Sequence, residues 1–388
     1  MASNPSVSVI IPTFNRAEFL RESVTSVLAQ TRPPLEVIVV DDGSTDETRA
    51  VIQEFGRDVV YVRKDNGGKA AAINLVLPRA RGDFLWFFDD DDVALPDAIE
   101  RRLDVLKLRR ELPWIFSSFY FGNTGPDGRI LRGAKREIQV LPEDNLFERI
   151  SINCFFTLPS CLIRRECMAQ IGNFNESLLR SQDYDVLIRL AHRFRFSGIE
   201  DPTFIVRLHD GLRGPLAERH AVASRRRVWT KYDRSIGRWM RDQCKLSDFT
   251  ANPWDASASV PLDVRLALFK RAVVMASKGL IPEMIEDCVA ACAVRAEPLG
   301  SEERMLCERL LRFPTFRFAY VGIAPAFWQG VRSLIKTAVG REVLMAYSKA
   351  LWHQAKCHDT RWSERAHHVS MSLRILVECG LLGWRYAG

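Results

Sequence analysis

The apolar run Phe84-Leu85-Trp86-Phe87-Phe88 is followed at once by four aspartates, Asp89-Asp90-Asp91-Asp92. Five consecutive large apolar residues suit a strand covered on both faces. Four adjacent carboxylates cannot stay buried beside one another without a cation or a wet cleft. The strand must therefore end where the acids begin, at a sheet edge that solvent reaches. Open α/β sheets bind ligands outside the carboxyl ends of their strands, so this junction is the first candidate site. Extended alternation predicts that Asp89 and Asp91 point to one side, spaced to share a divalent metal. All-oxygen ligation favours Mg2+ or Mn2+ over Zn2+. A solvated acidic loop is the alternative.

Strand and helix signals alternate through the first ninety residues. Val7 to Ile11, Leu35 to Val40, Val59 to Val62 and Asp83 to Phe88 read as strands. Helical spacing separates them: Ala17 to Gln30, a stretch containing Val51, Ile52 and Phe55 that Ser44 or Thr45 can cap, and an alanine-rich run from Asn66-Gly67-Gly68 to about Arg79. This β-α-β-α-β-α-β order predicts a parallel nucleotide-binding layer. A helix from Pro96 to Arg110 and a strand from Trp114 to Phe121 follow, then a less regular stretch to about Arg213. Beyond Ala217 the pattern is nearly all helical. Two domains are expected, 1–215 and 216–388.

Composition limits the remaining choices. No stretch of about 18 uncharged apolar residues occurs, so no spanning helix is expected. The N-terminus lacks an apolar signal region, which predicts a cytoplasmic protein. The nine cysteines are scattered and form no CxxC pair, which argues against a zinc site and predicts buried, reduced thiols. Residues 1–200 hold 26 basic and 29 acidic side chains, whereas 201–388 hold 29 and 19. The basic half also carries seven of the nine tryptophans. Either an anionic partner, such as a membrane surface, or an arginine-rich helical exterior explains that bias. Within it, Trp328, Val331, Ile335, Val339, Val343 and Tyr347 line one stripe between Trp328 and Leu351. Such a helix can lie on an anionic membrane or pack on its neighbours. Nucleic acid is not an expected partner, because the charge is moderate and no recognition motif occurs.

Neither G-x-G-x-x-G nor a G-x-x-x-x-G-K-[ST] loop follows the early strands, so nucleotide phosphates held here need a metal to neutralise them. Pro12-Thr13-Phe14 at the end of the first strand can line a base pocket. At the end of the second, Asp41-Asp42-Gly43-Ser44 offers a carboxylate to a base imide or a ribose hydroxyl. Lys69, at a helix start, either reaches a phosphate or is a solvated lysine.

Taken in order, Val9-Ile10-Ile11-Pro12-Thr13-Phe14-Asn15, Val39-Val40-Asp41-Asp42-Gly43-Ser44-Thr45-Asp46, Asn66-Gly67-Gly68, the aspartate quartet with Pro96, and Ser181-Gln182-Asp183-Tyr184-Asp185 with Arg189 form a pattern. From Ser6 to about Gly211 the chain resembles the inverting glycosyltransferases of family 2, which have a GT-A fold. The resemblance implies an α/β GT-A nucleotide-sugar-binding fold with a mostly parallel sheet, followed here by an α-helical C-terminal region. It implies that Pro12, Thr13, Phe14 and Asp42 contact base and ribose, and that Asp89 and Asp91 form a D-x-D motif that meets the metal and the nucleotide sugar; Asp90 within that motif and Lys69 from its helix start are further expected contacts of the nucleotide sugar. Asp91, Asp89 and His209 of Arg207-Leu208-His209 are the implied metal-side residues, with His209 at the diphosphate or the metal. Asp183 is the implied catalytic base; Gln182 stands where many members carry Glu, which leaves Asp183 the candidate at that step. Asp185 competes for that role and is otherwise a first-turn helix acid.

The expected activity is metal-dependent, inverting transfer of a sugar from a nucleotide sugar, a UDP-sugar by family frequency, to an acceptor hydroxyl. A glycan or lipid-linked acceptor in cell-surface polysaccharide or glycolipid synthesis is implied, with peripheral contact at the inner membrane face. A sugar-1-phosphate nucleotidyltransferase and a nucleotide-sugar-binding scaffold without turnover are the alternatives.

Overall fold

The computed structural model describes residues 5–141, 145–209, 225–254, 262–313, 320–356 and 362–380. The chain forms two compact units: Met1–Leu146 with Cys154–Trp229, and Phe147–Asn153 with Thr230–Gly388. The expected boundary at 215/216 lies outside the described residues.

The first unit is built on a nine-stranded mixed sheet. Strands β1 (Val7–Thr13), β2 (Glu36–Asp41), β3 (Val60–Arg63) and β4 (Phe84–Phe87) run parallel in the order β3-β2-β1-β4. Every residue of β1 and β4 is buried, which is why their sequences read as continuous apolar runs instead of alternations. Helices α1 (Ala17–Leu28), α2 (Thr48–Gln53) and α3 (Lys69–Val76) connect them. Leu20, Val24 and Val27 supply the buried stripe of α1. The α2 cap is not Ser44 or Thr45, because Ser44 is drawn to the preceding loop; Asp46 Oδ1 instead accepts the Thr48 N–H at 3.1 Å.

After β4 come the two-residue β5 (Val93–Ala94), α4 (Ala98–Leu108) and the hairpin β6 (Trp114–Thr124) and β7 (Ile130–Arg136). Further on are α5 (Leu146–Ile152), β8 (Cys161–Arg164), α6 (Arg165–Ile171), α7 (Gln182–Arg193) and β9 (Phe196–Leu208). β8 lies antiparallel between β4 and β6, and β9 is parallel to β6. Two successive reversals restore the original direction, so β6 and β9 end at the same sheet edge as β1, β2 and β4. That edge collects Asn15, Asp42, the aspartate quartet and His209.

The second unit contains most of α8 (Arg225–Gln243), with α9 (Val264–Ser277), α10 (Ile281–Val294), α11 (Ser301–Leu310), α12 (Tyr320–Ile335), α13 (Ala338–Lys356) and α14 (Trp362–Glu378). The stripe from Trp328 to Leu351 is carried by two helices, not one. Thr337 Oγ1 accepts the Gly340 N–H at 2.9 Å, starting α13 afresh, and a Cβ on Gly340 would meet Leu334 O at 2.0 Å. Val331, Val339, Val343 and Tyr347 from that stripe are buried within the unit. Part of the arginine excess is internal: Arg265 is buried against Glu303, and Arg241 and Arg271 both bind Asp287. No described helix is long and apolar enough to cross a membrane. Eight described cysteines are free, six of them buried.

Candidate functional site

Two loops at the carboxyl edge are stitched together first. Asn15 adopts a left-handed φ of 52°, and its N–H donates to Ser44 Oγ at 2.9 Å while its Oδ1 accepts the Thr45 N–H at 2.7 Å. Asp41, fully buried, accepts from the Ser44 N–H and the Tyr61 hydroxyl. Asp42 accepts from Lys64 Nζ (2.8 Å), Asn66 Nδ2 (3.0 Å), Gly67 N (2.9 Å) and Gly68 N (2.7 Å). A carboxylate has about four acceptor sites, so in this state Asp42 serves the Asn66-Gly67-Gly68 loop. Gly43 permits that approach: its φ is +83°, and a Cβ there would stand 2.8 Å from Asn66 N. Pro12, Thr13, Phe14, Asn15 and Asp42 then wall an open cleft of about 200 Å³, with Lys69, Asp89 and Asp90 across it.

The aspartate quartet is a turn, not an extended strand end. β4 stops at Phe87, and the Asp92 N–H reaches back to Asp89 O at 3.4 Å. Expected alternation is therefore not what gathers the acids. The turn brings carboxylate oxygens of Asp89, Asp91 and Asp92 within 4.8 Å of one another. Burial, with Lys69 opposing it, raises the Asp89 carboxyl above its usual range. Burial and the neighbouring Asp91 push Asp90 up to about 7, against the pull of Arg16 and the Thr13 hydroxyl. Like charges this close favour protonation or a cation.

Three basic side chains supply cationic charge. Arg207, almost fully buried, donates its backbone N–H to Asp92 Oδ1 (3.0 Å), Nε to Asp91 O (2.9 Å) and Nη1 to Thr124 Oγ1 (3.0 Å), and pairs with Glu22. It also lies 4.7 Å over the Phe19 ring. Both the backbone and a side chain of the acidic turn are thus pinned by one residue. Arg16 Nη1 lies 2.9 Å from Asp91 Oδ2, where His209 Nε2 also sits at 3.0 Å. Lys69 Nζ bridges Asp89 Oδ1 (2.8 Å) and Asp183 Oδ2 (2.9 Å). Burial opposes the Lys69 charge, but Asp183 and Asp89 outweigh it and raise the ammonium's pKa. Lys69 is therefore not a merely solvated lysine.

Asp183 arrives on the first turn of α7. The helix is entered through Ser181 in a left-handed conformation, φ 60°, whose C=O accepts the Asp185 N–H at 2.9 Å. Asp183 Oδ1 is buried without a hydrogen-bond partner among the described residues. Asp185 is committed elsewhere: its Oδ2 accepts both Nη2 (2.7 Å) and Nε (3.0 Å) of Arg189. That guanidinium also holds the carbonyls of Ile171 and Asn173.

The structure gathers every site residue expected from sequence at one edge: Pro12, Thr13, Phe14, Asp42, Lys69, Asp89, Asp90, Asp91, Asp183 and His209. Sequence reasoning gave no role to Arg16, or to Asp92 and Arg207 as parts of the turn. The arginine after Asn15 carries no local signal for its partner. The carboxylates, with His209 at their side, form a hard donor set whose spacing fits a small divalent cation.

An α/β sheet with an acidic turn at its carboxyl edge, followed by helices, defines a GT-A type fold. Residues 8–172 match the description Glycosyl transferase family 2. An uncharacterized glycosyltransferase of Rickettsia prowazekii (strain Madrid E) is 33% identical over 205 residues, covering 50% of this chain and 61% of the relative. TuaG of Bacillus subtilis (strain 168), named for teichuronic acid biosynthesis, is 33% identical over 172 residues, 43% of this chain and 65% of TuaG. Chondroitin synthase of Pasteurella multocida (strain Pm70) is 30% identical over 196 residues, 50% of this chain and 19% of that enzyme. The match thus spans less than two thirds of each of these three relatives. S. aureus TarS shares the fold at a TM-score of 0.51 and 15% identity, over 84% of this chain and 54% of TarS.

Proposed function

We propose that the protein is an inverting glycosyltransferase that moves one sugar from a nucleotide sugar, a UDP-sugar by family frequency, to an acceptor hydroxyl with the help of Mg2+ or Mn2+. The observation that carries this reading is Asp183: Lys69 holds Oδ2 toward Asp89, while Oδ1 has no hydrogen-bond partner among the described residues. A carboxylate oxygen so placed is a ready proton acceptor. The acceptor hydroxyl gives its proton to Asp183 Oδ1 as its oxygen forms the new bond to the anomeric carbon. The bond from that carbon to the diphosphate oxygen breaks on the opposite face, and the nucleoside diphosphate leaves with the electron pair. Pro12, Thr13, Phe14 and Asp42 would hold base and ribose, with Asp89, Asp90 and Lys69 toward the diphosphate sugar. Asp89, Asp91, Asp92 and His209 would hold the divalent ion, which supplies charge neutralisation for the departing phosphates.

The names of TuaG and chondroitin synthase support a polysaccharide acceptor. A lipid-linked acceptor and peripheral contact at the inner face of a membrane fit the same reading. Under it, the first unit is the catalytic domain. Transfer and hydrolysis assays with a panel of nucleotide sugars and Mn2+ test the proposal. Activity at the wild-type level in Asp91→Ala and Asp183→Ala proteins would overturn it.

A further inference from the structure

Arg16 lies where the proposed metal ligands Asp91 and His209 meet. Its Nη1 is 2.9 Å from Asp91 Oδ2 and 3.0 Å from His209 Nε2, and those two atoms are themselves 3.0 Å apart. The three groups close a triangle in a partly buried place, with side-chain exposures of 18% for Arg16, 14% for Asp91 and 10% for His209. A guanidinium stays charged at any ordinary pH, so the triangle is permanently supplied with a cation. The single nitrogen His209 Nε2 either accepts from Arg16 or donates to Asp91; in both cases its lone pair is unavailable to a metal. Asp91 Oδ2 is likewise occupied by Arg16.

The Arg16 guanidinium carbon also lies 6.0 Å from the Phe19 ring, its charge acts on the Asp90 carboxyl, and the residue lines the open cleft. The backbone beneath it is fixed by Asn15 and its bonds to Ser44 and Thr45. From that pinned backbone the side chain reaches Asp91, and the cleft it lines is open beside it.

We propose that Arg16 competes with the divalent ion. Its guanidinium neutralises Asp91 and engages His209 while the ion is absent, and it leaves both when the ion binds. The inference rests on the glycosyltransferase reading for the identity of the metal ligands. It concerns the affinity of the free protein for the ion, so its test needs no turnover.

Wild-type, Arg16→Gln and Arg16→Lys full-length proteins are titrated with MnCl2 alone, and bound ion is read by electron paramagnetic resonance. Removing a competing unit charge a few ångströms from the ligands is expected to tighten Mn2+ binding by about tenfold or more in Arg16→Gln. Arg16→Lys, which keeps the charge, is expected to stay close to the wild type. Equal or weaker binding by a folded Arg16→Gln protein overturns the inference and leaves the glycosyltransferase reading intact. Absence of Mn2+ binding in all three proteins overturns both the inference and metal assistance. Should Arg16→Gln fail to fold, Mg2+ titration of wild-type protein labelled with ¹⁵N-arginine carries the test. The Arg16 side-chain resonance shifts on saturation, and an unmoved resonance overturns the inference.

Discussion

The ammonium of Lys69 lies 2.9 Å from the carboxylate of Asp183, and the same nitrogen lies 2.8 Å from Asp89. One side chain at the start of α3 therefore ties the proposed base to the acidic turn. Replacing it with methionine keeps the length and removes the tie. Turnover is expected to fall roughly a hundredfold, with a smaller change in KM for the acceptor. Lys69→Arg, which can still bridge two carboxylates, should recover part of the loss. Steady-state kinetics on both variants checks this.

Asp183 and Asp185 are two residues apart and have opposite fates. Asp183→Asn is expected to lose about 10²- to 10⁴-fold in kcat with its melting temperature nearly unchanged. Asp185→Asn should retain turnover below its melting temperature, yet lose roughly 3 kcal/mol of stability, because Arg189 keeps its charge and loses its counter-charge. Reversal of the two outcomes would reassign the base.

Arg207 is expected to tolerate no replacement. Its guanidinium serves Asp91 O, Thr124 Oγ1 and Glu22 together, a geometry a point charge cannot reproduce. Arg207→Lys should be nearly as impaired as Arg207→Met, each losing about 3–5 kcal/mol in urea unfolding, together with activity. A lysine variant with wild-type stability would contradict the clamp.

Asp83 carries a pH dependence remote from the cleft. Its Oδ2 accepts the backbone N–H and the hydroxyl of Ser6, each at 2.8 Å, joining the start of β4 to the start of β1. The Ser6 backbone N–H, then its hydroxyl, lower the Asp83 carboxyl below the usual carboxylate range. A carboxyl with a lowered folded-state pKa adds stability in full above its unfolded value, and that part is lost as pH falls through the folded value. Urea midpoints of wild type and Asp83→Asn should differ at about pH 5 and converge toward about pH 2. A constant gap across that range would contradict the assignment.

The parallel layer was legible because its strands are covered on both faces and its breaks are marked by Pro12, Pro33-Pro34 and Asn66-Gly67-Gly68. The site was legible to the extent that its residues close those strands. Tertiary contacts were not. Asp91 lies 75 positions from Arg16 and 118 from His209, and no local spacing signals either contact. The aspartates read as a strand end, although Arg207 and the Asp89–Asp92 contact make them a turn. The stripe from Trp328 to Leu351 kept its period across a helix break, since Thr337 and Gly340 interrupt the backbone without interrupting the apolar pattern.

The helical unit includes Phe147–Asn153, a piece of chain lying between strands of the sheet-bearing unit. Phe147 and Ile150 are fully buried, Lys270 binds Glu148, and Lys278 Nζ donates to Ile152 O. A stop codon placed after the last strand would strip that short helix of its packing partners and leave its greasy face in water. The gene cannot be cut into two self-sufficient halves at any one point downstream of it; a soluble fragment of the sheet-bearing unit calls for Phe147 and Ile150 to be made polar as well.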